Sequence, residues 1–391
     1  MAPAARTLPA AAIVGAALSD VGRTDETSPF ELHWQAASRA VADAGLTKDA
    51  IDGFMSVGTG VLPPVEVAEY LGLRPTWIDS TGVGGATWEV FLEHAVAAIA
   101  AGQATTVLIV YGSTARSDLK RKLRTANLAL SSRGPSQFDV PYGHTLIAKY
   151  AMTARRHMHE YGTTIEQLAE VAVAARANAA RNPEAMYRDP ITVDDVLAGP
   201  MIADPFTKLH CCIRSDGGGA VVVTAAEHAR RLERAAVWVL GTGSVSSHTT
   251  MSEWDDFTLS PAAVSGKLAF GRAGLRPADV DVCQFYDAFS ILVPMTFEAL
   301  GFCDRGEGGA YVAGGRLGID GAMPTNTDGG GLSACHPGMR GIFLLVEAVR
   351  QLRGEAEGRQ VPDAEVACVN GTGGWFSSAS TALLGTGAVL G

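Results

Sequence analysis

The feature that most restricts the fold is a match of the chain to itself. Ala44-Gly45-Leu46-Thr47-Lys48-Asp49-Ala50-Ile51-Asp52 is echoed by Ala273-Gly274-Leu275-Arg276-Pro277-Ala278-Asp279-Val280-Asp281, at an offset of 229 positions. Each copy follows an apolar helical stretch that begins near a Ser-Pro pair, Ser28-Pro29 or Ser260-Pro261, and each precedes a short apolar strand. Further on, each half carries a glycine-rich loop that opens a long helix ending at glycine, from Gly82 to Gly102 and from Gly329 to Gly354. A shared order of elements around a shared motif is the mark of a duplicated unit. We therefore expect two related βαβ-rich halves, residues 1–235 and 236–391.

Local signals fill in the first half. Residues 12–17 read as a strand. Phe30 to Ala44 reads as a helix with Ser28 as N-cap, Pro29 at its first position and Gly45 past its end. Phe54 to Val57 reads as a short strand, Trp88 to Ala101 as a second helix, and Thr106 to Tyr111 as a buried strand. Continuous apolar strands that alternate with helices predict an α/β sheet covered on both faces. Residues 113–214 have no echo in the second half. They read as an inserted loop domain with helices at Leu146–Tyr161 and Ile165–Ala180, of the kind that serves as a lid or substrate wall. Arg116, Lys120, Arg121, Lys122 and Arg124 form a basic knot at its start. They are either a solvated helix face or a dock for the phosphates of an anionic substrate.

Composition excludes several functions. The chain has 31 Lys and Arg against 41 Asp and Glu, a formal charge of −10. An acidic chain without a long basic tract is poorly suited to nucleic acid, whose phosphates need clustered cations. No apolar run reaches the roughly 18 residues that a bilayer span requires. The stretch Leu8 to Leu18 behind Arg6 has the look of a short secretory signal, but Ala12-Ile13-Val14-Gly15-Ala16 also reads as a buried first strand, which we prefer. The six cysteines, Cys211, Cys212, Cys283, Cys303, Cys335 and Cys368, form no CxxC pair and need no disulfide framework in a chain this long. Cytoplasmic residence and the absence of a metal site are the expectations. Cys211 and Cys212 read as core.

Three segments carry candidate chemistry. They are Tyr286-Asp287-Ala288-Phe289, Gly329-Gly330-Gly331-Leu332-Ser333-Ala334-Cys335-His336-Pro337-Gly338, and Asn370-Gly371-Thr372-Gly373-Gly374. There is no Walker A motif, and no GxGxxG follows the first strand. In this order the three segments resemble the thiolase superfamily, with sterol-carrier-protein-X type thiolases and their lipid-transfer-protein offshoots as the nearest kin. The resemblance also takes in Ala12-Ile13-Val14-Gly15, Asp43-Ala44-Gly45-Leu46 and Ser215-Asp216-Gly217-Gly218-Gly219-Ala220. It implies a thiolase fold, in which the two halves form a layered αβαβα core.

The departures from that family lie at the chemistry. A thiolase opens a helix of its first half with a nucleophilic cysteine, because a helix N-terminus and a histidine favour the thiolate. The matching turn here reads Gly85-Ala86-Thr87, and no cysteine precedes His210. Glycine is no nucleophile, and we expect its missing side chain to leave room for a bulky substrate carbon. The family's Asn-Glu-Ala-Phe or His-Asp-Cys-Phe motif becomes Tyr286-Asp287-Ala288-Phe289. The loop of the last catalytic cysteine becomes Asn370-Gly371-Thr372-Gly373-Gly374. The histidine of the Gly-His-Pro motif survives as His336, with Cys335 in place of the glycine.

The resemblance thus implies an apparatus for stabilising a thioester enolate without either thiol. Retro-aldol cleavage of a β-hydroxyacyl-CoA suits it, since the reaction needs a base, enolate stabilisation and reprotonation but no acyl-enzyme. Thiolase-like aldolases of steroid side-chain degradation have this pattern, and the reading is of a lyase. Tyr286 is assigned to the substrate hydroxyl as base and His336 to the thioester oxygen as donor, with the exchanged roles left open. Asp287 orients nearby groups or caps a turn. Gly85, Cys335, Gly373 and Gly374 complete the expected substrate site; Gly373 and Gly374 bring backbone N–H groups to the substrate or form a tight turn. The alternatives are an acetyl-CoA acetyltransferase that uses Cys335 or another thiol, and a non-catalytic acyl-CoA-binding scaffold. No cofactor is expected beyond the CoA that carries the substrate. The resemblance also implies a homodimer joined by an OB-fold and zinc-ribbon acyl-CoA-binding partner protein.

Overall fold

The computed structural model describes residues 9–121, 135–138, 140–142 and 145–390. In chain order its strands are β1 (Ala11–Leu18), β2 (Gly53–Met55), β3 (Trp77–Asp79), β4 (Thr106–Ser113), β5 (Met201–Ala203), β6 (Phe206–Thr207), β7 (Gly217–Ala225), β8 (Val237–Ser246), β9 (Val282–Phe285), β10 (Val366–Gly373) and β11 (Ser378–Gly385). The helices are α1 (Pro29–Asp43), α2 (Pro63–Tyr70), α3 (Thr87–Ala100), α4 (Ala115–Lys120), α5 (Leu146–Tyr161), α6 (Ile165–Ala180), α7 (Val193–Leu197), α8 (Ala226–Ala229), α9 (Ala262–Ala273), α10 (Leu292–Leu300), α11 (Gly308–Val312) and α12 (Gly341–Leu352).

Nine strands form one sheet in the order β3-β2-β4-β7-β1-β8-β11-β10-β9. The order is a palindrome of two equivalent sets: β2-β4-β7-β1 on one side of the β1–β8 junction and β9-β10-β11-β8 on the other. Pairing senses match as well. β2 and β4 are parallel, as are β9 and β10, while β4–β7, β7–β1, β10–β11 and β11–β8 are antiparallel.

The self-match recurs in three dimensions at its own offset. Gly45 and Gly274 both follow a helix with positive φ, +66° and +63°, where a side chain would be strained. Lys48–Ala50 and Pro277–Asp279 each form a 3₁₀ turn. Asp52 then accepts the backbone N–H groups of Thr105 and Thr106, and Asp281 those of Glu365 and Val366. In each half the carboxylate ties the start of one parallel strand to the start of the next. The cap of α1 is as expected: Ser28 accepts from the Glu31 N–H with Pro29 at the first helical position.

Both sheet faces are covered, and the strands show it residue by residue. On β4, Val107 and Ile109 face one core while Leu108 and Val110 face another. α1 covers the outer face of the first half and α9 that of the second, and α3 and α12 pack together between the halves, touching strands of both. This is the layered αβαβα arrangement. The segment without an echo lies between β4 and β7 and holds α4 to α7 with the β5–β6 hairpin.

The described part of the basic knot gathers around Asp25 at the surface. Arg116 and Lys120 pair with Asp25 at 3.0 and 2.8 Å, and Arg121 donates to the Asp25 carbonyl. Lys122 and Arg124 lie outside the described residues. No helix among the described residues is long and apolar enough to cross a membrane.

Candidate active site

Tyr286 leaves the end of β9, and its N–H donates to the Asn370 carbonyl on β10. Its side chain faces the central layer between the halves. His336 comes from the glycine-rich loop before α12. The two meet there: Tyr286 Oη and His336 Nε2 are 3.1 Å apart, with the rings nearly perpendicular at 77°. The direction of that hydrogen bond follows the imidazole tautomer.

Both groups are almost sealed, with 5% and 8% of their surface exposed. Burial raises the Tyr286 pKa well above 10, and the nearby Cys212 thiol adds to the rise. Burial, with the Arg340 guanidinium, lowers His336 to about 4. At neutral pH the pair is therefore a neutral phenol beside a neutral imidazole. A phenol is a proton donor in that state and an imidazole a proton acceptor.

Gly85 explains how the phenol fits. A Cβ placed on Gly85 would lie 2.2 Å from Tyr286 Cε2, 2.3 Å from Cζ and 2.4 Å from the Thr372 carbonyl oxygen. The expectation that this glycine leaves room for a substrate carbon is therefore corrected: the Tyr286 ring fills the room. Sequence reasoning missed the partner because it comes from the other half of the chain.

Asp287 takes the orienting role rather than a contact with substrate. It is fully buried, and its carboxylate accepts the N–H of Gly331 at 2.7 Å and of Leu332 at 3.3 Å. It positions the loop that carries His336, so its oxygens face backbone rather than substrate. Burial raises its pKa to about 6 against the opposing pull of Arg340 and these amides.

Gly373 and Gly374 serve the tight-turn alternative. A Cβ on Gly373 would lie 1.6 Å from the Val83 carbonyl oxygen, and the Gly374 carbonyl accepts from Tyr150 Oη at 2.7 Å. Cys335 turns away from His336: its sulfur is 3.0 Å from Ser215 Oγ, and burial raises its pKa to about 12. It is no thiolate at neutral pH.

Several residues of the site were not anticipated. Arg340, fully buried, donates to both Asp328 oxygens at 2.6 Å and to the Cys335 carbonyl at 2.8 Å, with Asp287 3.6 Å from its Nε. It clamps both ends of the His336 loop. A charged residue between Gly338 and an apolar helix was a readable hint of a buried ion pair. Glu89, one helical turn after Gly85, is fully buried among Gly341, Gly371 and Ala86. Among the described residues neither of its oxygens has a hydrogen-bond partner, and burial raises its pKa to about 8.

The segment 211–216 crosses both candidate loops. Cys211 bridges to Phe289, Cys212 N–H donates to the Ala288 carbonyl, and Ile213 N–H donates to the Gly331 carbonyl. Ser215 Oγ accepts the His336 N–H at 2.8 Å. Cys211 and Cys212 belong to this strap and pack against the main core, as their sequence reading has it. Among the described residues, no group of three or more His, Cys, Asp or Glu side chains is arranged to hold a metal ion.

Comparisons with known proteins agree with this architecture. Residues 243–386 match the thiolase C-terminal domain-like family. An acetyl-CoA acetyltransferase of Methanothermobacter thermautotrophicus is 34% identical, covering 94% of this chain and 97% of the relative. A steroid side-chain-cleaving aldolase of Thermomonospora curvata is also 34% identical, covering 93% and 95%. Among solved structures, an Ltp2-ChsH2(DUF35) aldolase superposes with a TM-score of 0.87 at 31% identity, covering 97% of this chain and 99% of the other. With a duplicated αβαβα core and relatives matched along nearly their whole length, the chain belongs to the thiolase superfamily.

Proposed function

We propose that the chain is a lyase that cleaves a β-hydroxyacyl-CoA by retro-aldol chemistry, with a steroid side chain as the acyl group, releasing a ketone or aldehyde and a short acyl-CoA. The observation that carries this reading is the Tyr286 ring lodged against Gly85. The helix start where a thiolase would present its nucleophile presents a phenol bonded to an imidazole instead. The two curated relatives are equally identical to the chain, so overall similarity does not choose between transferase and aldolase. The occupied position does.

The neutral states of the pair favour the exchanged roles. His336 accepts the proton of the β-hydroxyl as the Cα–Cβ bond breaks. Tyr286 donates to the thioester oxygen, where the enolate charge collects. A donor fixed in a dry site stabilises that charge without reorganisation. The first assignment, Tyr286 as base, would require a phenolate that burial opposes.

The steroid substrate and an OB-fold, zinc-ribbon partner rest on the named aldolase relatives and on the resemblance of the sequence. A homodimer is supported by the free edge of the sheet. β3 is the outermost strand, and its Ile78 is 42% exposed. Such an edge invites strand pairing with a second copy. Cytoplasmic residence rests on the six free cysteines.

The test is product analysis by mass spectrometry, with and without an OB-fold partner. One arm supplies a sterol-derived β-hydroxyacyl-CoA, the other acetoacetyl-CoA with free CoA. A ketone or aldehyde plus a short acyl-CoA from the first arm only is the expected result. Acetyl-CoA from the second arm would establish the acetyltransferase instead. Tyr286→Phe and His336→Ala should each lower cleavage by about 10²-fold or more, the usual contribution of a positioned acid or base.

A further inference from the structure

Both members of the reacting pair come from the second half of the chain, and the first half seats them. Gly85 makes room for the Tyr286 ring. We propose that Tyr111 does the corresponding work for His336, as a positioning residue that holds the imidazole at its distance from the phenol. The inference rests on the lyase reading and adds to it a residue that acts through the histidine.

Tyr111 lies near the end of β4, paired with Gly219 on β7. Its Oη donates to the carbonyl of Pro337, the residue after His336, at 2.7 Å. Upstream of the imidazole the loop is already tied down. Asp287 takes the Gly331 and Leu332 amides, Arg340 the Cys335 carbonyl, and Ser215 Oγ the His336 N–H. Downstream the means are fewer. Pro337 has no N–H to give, and Gly338 is exposed with a left-handed φ of +91°. Among the described residues, a Cβ on Gly338 would find its nearest neighbours, Tyr111 Oη and Ala115 Cβ, at 3.6 and 3.7 Å. Sterics leave that side of the loop room to swing. The Pro337 carbonyl is the handle there, and Tyr111 holds it.

The donor itself is rigid. Tyr111 is 5% exposed, with its ring 4.6 Å from that of Trp88 and edge-on to that of His33 at 6.4 Å. Trp88 stands on α3, in the turn that follows Gly85. One helix thus backs the phenol that holds the histidine loop and clears space for the phenol that reacts. A misplacement of about 1 Å can cost about 10²-fold in rate. The 3.1 Å Tyr286–His336 contact has little slack before it leaves hydrogen-bond range.

The experiment uses Tyr111→Phe, which keeps the ring and removes only the hydroxyl. Steady-state cleavage of the β-hydroxyacyl-CoA gives kcat and KM. A proton–carbon NMR spectrum of the histidine rings gives the His336 resonance, assigned by its loss in His336→Gln. Tyr111→Phe is expected to lower kcat by about 10- to 100-fold with KM within about threefold, the scale of a reacting group displaced by a fraction of an ångström to about 1 Å. The His336 resonance should move while the circular-dichroism spectrum stays native. A wild-type kcat or an unmoved His336 resonance would overturn the proposal. So would a loss carried by KM, or loss of the native circular-dichroism spectrum, since Tyr111 would then be substrate wall or scaffold. Absence of cleavage by the wild type would refute the lyase reading, and the His336 resonance would still report whether Tyr111 positions the histidine.

Discussion

Gly85→Ala should abolish cleavage while leaving the fold standing. A Cβ at that position would sit 2.2 Å from Tyr286 Cε2. Non-bonded carbons rest about 3.5–4.0 Å apart, so the ring must retreat by roughly 1.3 Å or more. The helix-start backbone cannot yield instead, because the Thr372 carbonyl oxygen would be 2.4 Å away on another side. Retreat of that size stretches the 3.1 Å Tyr286–His336 contact past hydrogen-bond range. Losing one positioned acid–base partner costs about 10²–10⁴ in rate, or about 3–5 kcal/mol of barrier. Overpacking adds about 1–3 kcal/mol of destabilisation. The assay is kcat and KM for cleavage, with urea unfolding in parallel, for Gly85→Ala, Tyr286→Ala and the double variant. The single glycine variant should lose at least about 10²-fold in kcat. In the Tyr286→Ala background the same change should cost less stability, because only the contact with the Thr372 carbonyl oxygen remains. Wild-type kcat in Gly85→Ala would refute the steric reasoning, and so would a stability cost as large with Tyr286 removed as with it present.

Other consequences are measurable on the same protein. Glu89 has its pKa raised from 4.5 to about 8 in the folded state. Between those values the folded chain keeps a proton that the unfolded chain has lost, so Glu89 makes stability fall as pH rises through that window and level off above it. The contribution is bounded at about 5 kcal/mol; Glu89→Gln should flatten the decline between pH 5 and 8 in urea titrations, and an unchanged slope would show that Glu89 is charged or paired. Arg340→Gln should destabilise the protein by about 3–5 kcal/mol, since it strands the buried Asp328 carboxylate. Arg340→Lys should not restore stability, because one ammonium cannot reproduce the paired contacts to Asp328 and the Cys335 carbonyl; a near-native urea midpoint for either variant would count against the clamp.

What was legible in the sequence was local or repeated. The Ser28 cap with Pro29, the helix ends at Gly45, Gly102 and Gly274, and the alternation along β4 are set by neighbours in sequence, and the structure has them. The duplication was legible because one solution to the same packing problem was written twice, down to the aspartates that start each parallel pair. What was not legible depends on partners far along the chain. Nothing near Gly85 announces that a ring from the other half will occupy its space. Nothing beside Cys212 announces that its strap will lie across two loops that the fold brings together. For Asp287 the sequence left orienting and capping open, because the amides that satisfy it belong to Gly331 and Leu332, far along the chain.

These long-range contacts also bear on how a thiol-free helix start could carry the proposed site. A thiolase site needs an anion, so it must hold a thiolate in place. Here the reacting pair is neutral at rest, and a neutral pair tolerates deep burial that an unpaired thiolate would not. The charges that the site does contain are paired away from the reaction. Arg340 is shared between Asp328 and Asp287, and through the Gly331, Leu332 and Cys335 backbone it fixes the loop on which His336 stands. Rigidity is therefore provided by buried ions, and the proposed chemistry falls to groups that are neutral at rest. Under that division of labour, replacing the cysteine by glycine is more than the loss of a nucleophile: it is the steric condition for seating a phenol within hydrogen-bond range of the surviving histidine.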